Sequence, residues 1–133
     1  MAHLTLEYSA NLRAGGDLGG LCARLAACLA AQRDGAAAVF PIGGIRVRAI
    51  PCEDYCIADG APDAAFVHAI LKLGAGRSAA VRTAAGTAVF ELITQHFAAK
   101  FAAHGLALSL ELIEFSEAGT WKHNNLHARI RRT

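Results

Sequence analysis

A strand-like stretch, an amphipathic helix and a second strand-like stretch succeed one another in the first half of this 133-residue chain and again in the second. The offset of about 60 positions is long enough for each half to be one right-handed βαβ unit. In the first unit, residues 3–50, alternation begins at the terminus: Leu4, Leu6 and Tyr8 fall on one face, His3, Thr5 and Glu7 on the other. Asp17 is placed to cap a helix carrying Leu18, Leu21, Cys22, Leu25 and Leu29 at helical spacing, with Gly35 as its stop. The stretch VFPIGGIRVRAI then predicts a strand after Pro41, with Ile45, Val47 and Ala49 on one face and Gly44, Arg46 and Arg48 on the other.

PCEDYCIADGAPD, rich in Pro, acidic residues and an Asp-Gly pair, is turn chemistry and separates the halves. The second unit, residues 64–116, opens with a largely apolar strand, AAFVHAILKLGAGRS, ending in Gly74 and Gly76. Ser78 is the expected cap of one long helix to His104, closed by Gly105. Val81, Ala85, Val89, Leu92 and Ile93 form its main stripe, and Phe90, Phe97 and Phe101 widen it. LALSLELIEF alternates as a final strand, and the tail, residues 117–133, is expected to be irregular, with Arg129, Arg131 and Arg132 in solvent. The prediction is a single α/β domain: a four-stranded mixed sheet with two helices on one face. The other sheet face then needs a cover, which copies of the same chain supply most simply; the 54% hydrophobic fraction fits an oligomer.

Several function classes drop out. The net charge of +2 is spread along the chain without the basic stripe and interleaved aromatics of a nucleic-acid binder. There is no run of 18 apolar residues and no signal-peptide pattern, so a cytoplasmic protein with no membrane partner is expected. Cys22, Cys28, Cys52 and Cys56 form no C-x-x-C pair and are expected as free thiols. His123 and His127 stand four apart but lack a nearby carboxylate, which argues against a metal site, as it does for Cys52 and Cys56. GAGRS lacks the spacing of either glycine-rich phosphate loop.

What remains is cationic. Arg46 and Arg48 lie two apart on one strand and share a face, while Arg77 sits in a glycine-rich turn before a helix N-terminus, where orphan N–H groups favour an anion. Together they point to a carboxylate site. No Ser, His and Asp trio is recognisable, and His68, His96 and His104 are expected on element surfaces. The remaining candidate base is the chain's α-amino group, whose ordinary pKa near 8 is lowered by burial and neighbouring cations into the range where general bases work.

The segments FPIGGIRVR (40–48), ADG (58–60), DAAFVHAILKLGAGRS (63–78), FELITQHF (90–97) and NNLH (124–127) resemble the 5-carboxymethyl-2-hydroxymuconate Δ-isomerase family of the tautomerase superfamily. The resemblance covers nearly the whole chain. It implies a homotrimer with sheets forming an inner barrel, and a cofactor-free isomerase of aromatic-compound catabolism. The implied reaction moves a double bond by proton transfer in an unsaturated 2-hydroxy or 2-oxo dicarboxylate. It assigns Arg46 and Arg77 to binding and polarising the substrate, with Arg48 as a further binding charge. Trp121 and Phe101 are candidate pocket walls.

The family's base is an amino-terminal proline exposed by loss of the initiator methionine, and this chain has Ala2 there. A small second residue favours removal of Met1, which leaves the Ala2 amino group at the same place without proline's ring and fixed φ. Two alternatives stand beside this one: a catalytically silent homologue that keeps the trimer and binds a dicarboxylate, and a purely structural trimer without anion affinity.

Overall fold

The computed structural model describes residues 1–131, with side chains through residue 130. In chain order the strands are β1 (Ala2–Ser9), β2 (Arg33–Asp34), β3 (Ala37–Ala38), β4 (Ile45–Cys52), β5 (Ala65–Gly74) and β6 (Leu106–Phe115). The helices are α1 (Leu18–Ala30), α2 (Ala79–His96), α3 (Ala98–Ala103) and α4 (Leu126–Arg131). The main sheet has the order β4-β1-β5-β6, with β1 parallel to β4, β5 antiparallel to β1, and β6 parallel to β5. Each half is therefore a parallel pair joined through a helix, and the first strands of the halves meet in the middle.

Strand alternation sorts the side chains onto two faces. Ala2, Leu4, Leu6 and Tyr8 of β1 and Ala65, Val67, Ala69, Leu71 and Leu73 of β5 are buried under the helices. From α1, Leu18, Leu21, Leu25 and Leu29 pack into them, and from α2, Ala85, Val89 and Ile93. Each leucine removed from water contributes about 2–3 kcal/mol, which outweighs the weak helix propensity of Gly19 and Gly20 at the start of α1. Asp17 caps α1 by accepting a hydrogen bond from Gly20 N at 3.2 Å, and Ser78 caps α2 by accepting one from Val81 N at 3.2 Å. Where β1 runs out, the buried Ser9 hydroxyl accepts from Phe66 N at 3.0 Å and extends the pairing by a side chain.

Three expectations are corrected. The first helix ends at Ala30, with Ala31 as its cap, rather than at Gly35. Gly35, at φ +61°, instead turns the short β2–β3 hairpin, a conformation that L side chains disfavour. The long second helix breaks at Phe97, whose φ of −101° and ψ of 15° leave the helical region. The break shifts the phase of α3 relative to α2, so Phe97 is buried while Phe101 on α3 is 62% exposed. The tail is ordered: a turn at Glu117–Gly119 leads to α4, begun by Asn124, whose side-chain oxygen accepts from Leu126 N at 2.7 Å. Arg129 is exposed as expected, while the Arg131 side chain and Arg132 lie outside the described residues. No helix among the described residues is long and apolar enough to cross a membrane, and no disulfide forms among them.

Candidate active site

The register of β1 decides what surrounds the chain terminus. Ala2 pairs with Ile45 on one side and Leu73 on the other. Met1 therefore continues the strand between Gly44 and Gly74, two positions with no side chain. A Cβ on Gly44 would sit 3.2 Å from Met1 Cα, and one on Gly74 would strike the Glu117 carboxylate at 2.7 Å. These glycines leave the space around the terminus open to other groups.

The next register row on this open face is Arg46, His3 and Lys72, side by side on β4, β1 and β5. The tail closes the opposite side. Asn124 donates from Nδ2 to Gly43 O at 3.0 Å, and His127 lies so close to Gly43 that a Cβ there would fall 2.7 Å from its ring nitrogen. The result is a cleft of about 730 Å³ whose floor holds Met1, His3, Arg46 and Lys72 and whose tail wall holds Trp121, Lys122, His123, Asn124 and His127.

The electrostatics disfavour the charged form of the amine and suit an anion in the cleft. The terminal amino group is held below its ordinary pKa, first by burial and then by Arg77, Lys122 and Arg46, with Glu117 opposing. His3 is likewise pushed down, by burial and then by Arg48, Arg46, the terminus and Lys72. Its imidazole stays neutral in a row of cations. Glu117 is held below the usual carboxylate range, chiefly by a hydrogen bond from Lys122 Nζ at 2.8 Å.

The residues singled out in the sequence divide accordingly. Ala2 is fully buried at the start of β1, with its methyl group on the helix side. Arg46 reaches the cleft and makes one long contact, to Gly44 O at 3.5 Å. Arg77 is near enough to act on the terminus, but its guanidinium is tied down: Nη2 and Nε donate to Val39 O at 3.0 and 3.3 Å, Nη1 donates to Gly74 O at 2.9 Å, and the group lies over the Phe40 ring. Arg48 lies beside His3, 3.3 Å from its Nδ1, outside the cleft lining. Trp121, 90% exposed, walls the cleft, whereas Phe101 does not line it.

Sequence reading missed Lys72, Lys122, Glu117 and His3. Alternation places Lys72 on the open face, yet only the antiparallel register puts it opposite His3. His123 precedes α4 and His127 lies within it, so they are not a pair on one helix.

The model of the 5-carboxymethyl-2-hydroxymuconate isomerase family matches residues 2–130. The chain is 44% identical over 128 residues to the 5-carboxymethyl-2-hydroxymuconate Delta-isomerase of Escherichia coli, covering 96% of this chain and 98% of that one. Against the crystal structure of a 5-carboxymethyl-2-hydroxymuconate isomerase from Deinococcus radiodurans R1 the TM-score is 0.89 at 50% identity, over 98% of this chain and 94% of that chain. The fold also matches that of the W0 fused 4-OT wild-type symmetric trimer, with a TM-score of 0.63 at 18% identity over 86% and 87% of the two chains. By sequence and by fold, the chain belongs to the 5-carboxymethyl-2-hydroxymuconate isomerase family.

Proposed function

We propose that the protein converts an unsaturated 2-hydroxy acid built on a muconate dicarboxylate skeleton, of the 5-carboxymethyl-2-hydroxymuconate type, into its 2-oxo isomer, using the Ala2 amino group as base once Met1 is removed. The observation that carries this reading is the terminus itself, where burial first and then Arg77, Lys122 and Arg46 lower the pKa of the Met1 amine and disfavour its charged form; the Ala2 amine would lie one residue along the same strand. The amine takes the proton of the 2-hydroxyl group, leaving a dienolate, and returns it to a chain carbon. The O–H bond breaks and a C–H bond forms, the C=C bond at the hydroxyl-bearing carbon is replaced by C=O, the other C=C bond shifts by one carbon toward it, and the proton count is unchanged. Arg46 binds a substrate carboxylate and faces the charge that develops on the dienolate oxygen. Arg77 acts from behind the cleft, as a fixed positive charge beside the terminus rather than a free clamp. Arg48 supports this field through its contact with His3.

The same reading includes a cytoplasmic homotrimer needing no cofactor. The open sheet face supports the assembly, because half-buried Phe66, Ile70 and Ile113 lie there without a helix over them. The silent-homologue alternative rests on one observation, that Ala2 stands where the family has proline. Ultraviolet absorbance of 5-carboxymethyl-2-hydroxymuconate separates the two. Turnover by the native protein supports the isomerase; saturable binding without turnover supports the silent binder.

A further inference from the structure

We propose that Lys72 is a specificity-determining residue that holds a third substrate carboxylate, making the cleft selective for a tricarboxylate over the corresponding dicarboxylate. This rests on the isomerase reading above and deepens it. A muconate skeleton carries a carboxylate at each end, and a carboxymethyl arm adds one more.

The cations near the terminus are not equivalent. Arg77 commits three of its five N–H groups to the carbonyls of Val39 and Gly74 and does not line the cleft. Lys122 is paired with Glu117 at 2.8 Å. Arg46 and Lys72 remain, Arg46 with one long contact and Lys72 with no acidic partner among the described residues. Both lie in the cleft, and the register puts them on the two strands flanking His3. Two strand spacings separate their backbones by roughly 10 Å, a gap that two long side chains close onto a branched acid.

His3, between them, completes the logic. A third cation there would repel the other two, and an acid would neutralise them. A neutral imidazole does neither, and with Nδ1 accepting from Arg48 its Nε2–H is left to donate to a substrate oxygen. Lys72 is exposed and makes no hydrogen bond that the fold depends on, so folding alone does not account for a lysine at this position.

Steady-state kinetics on 5-carboxymethyl-2-hydroxymuconate and on 2-hydroxymuconate, which lacks the arm, test the assignment with the native protein, Lys72→Met and Lys72→Arg. A charge-assisted hydrogen bond to the arm corresponds to about a ten- to hundredfold effect. Lys72→Met is expected to raise KM for the tricarboxylate by that factor more than for the dicarboxylate, with Lys72→Arg restoring most of the preference. Equal losses on both substrates, or no loss, would overturn the assignment.

A second readout survives failure of the isomerase reading. Trp121 is the only tryptophan and lines the cleft, so its fluorescence tracks binding of propane-1,2,3-tricarboxylate and of glutarate, neither of which reacts. Tighter binding of the tricarboxylate, lost in Lys72→Met, upholds the assignment even if no substrate turns over. Equal binding of the two acids by the native protein contradicts it.

Discussion

The two faces of the sheet are built from the same strands and obey different rules. Under the helices, β1 and β5 present alanine, valine and leucine almost exclusively, and the fold's own burial accounts for every one of them. On the other face the same strands carry His3, Thr5, Glu7, Phe66, His68, Ile70 and Lys72. No folding requirement selects that mixture of cation, imidazole and aliphatic side chain. The covered face records how the chain folds, and the open face supplies the residues of the proposed site and of the proposed assembly.

If that division holds, substitutions on the two faces fail in different ways. The largest effect is expected at Arg46. Arg46→Ala removes the donor proposed to face the dienolate and is expected to lower kcat/KM by about 10²–10³-fold, while thermal unfolding should hardly change because the side chain makes only one long internal contact. A comparable loss of thermal stability would blur the division.

Next come neighbours on one strand. Leu71 is fully buried under the helices, and Leu71→Ala should cost about 2–5 kcal/mol at any protein concentration. Ile70 points to the open face, so Ile70→Ala should show a loss of stability that depends on protein concentration, as expected if copies of the chain cover that face. Denaturant unfolding at two well-separated concentrations checks both. Concentration-independent loss in Ile70→Ala would make the two faces alike.

A smaller effect is expected at the seam between core and tail. A Cβ at Gly43 would meet His127 at 2.7 Å, and the backbone nitrogen of the same residue at 2.8 Å. Gly43→Ala should displace α4 at a cost of about 1–3 kcal/mol and raise KM, because the tail wall moves with it. Trp121 fluorescence and the substrate titration measure the two consequences separately.

The smallest is electrostatic. An amine acting as base must be unprotonated, so activity falls as pH drops through its pKa, which lies below the usual value for a terminus of about 8. Lys122 is one of the charges that lower it. Lys122→Met removes that charge and frees Glu117, both of which raise the pKa, so the acidic limb of the kcat/KM profile should move to higher pH. Movement to lower pH would contradict the sign of the field.

Most of the covered face is legible in the sequence because burial imposes a period. The leucines of α1 and the alternation of β1 and β5 report a geometry that each element satisfies locally. The site is legible only where its residues stand in such patterns: Arg46 and Arg48 two apart on a strand, Arg77 before a capped helix. Lys72 and His3 become partners only through strand register, which no single segment encodes. The tail wall escapes for another reason. A six-residue helix such as α4 is too short to be stable alone or to show a period. It forms against Gly43, and the relevant signal is the absence of a side chain. Likewise, Arg77 reads as a free anion ligand in GAGRS, and only the fold reveals that Val39 and Gly74 take three of its five N–H groups.

Whether an alanine amine does here what proline does in the family is decided by pairing the intact mass of the native protein with its rate on 5-carboxymethyl-2-hydroxymuconate, measured beside Ala2→Pro. The expected result is a mass lacking Met1 and measurable turnover by the native chain, abolished when the terminal amine is acylated. Turnover appearing only in Ala2→Pro would contradict it.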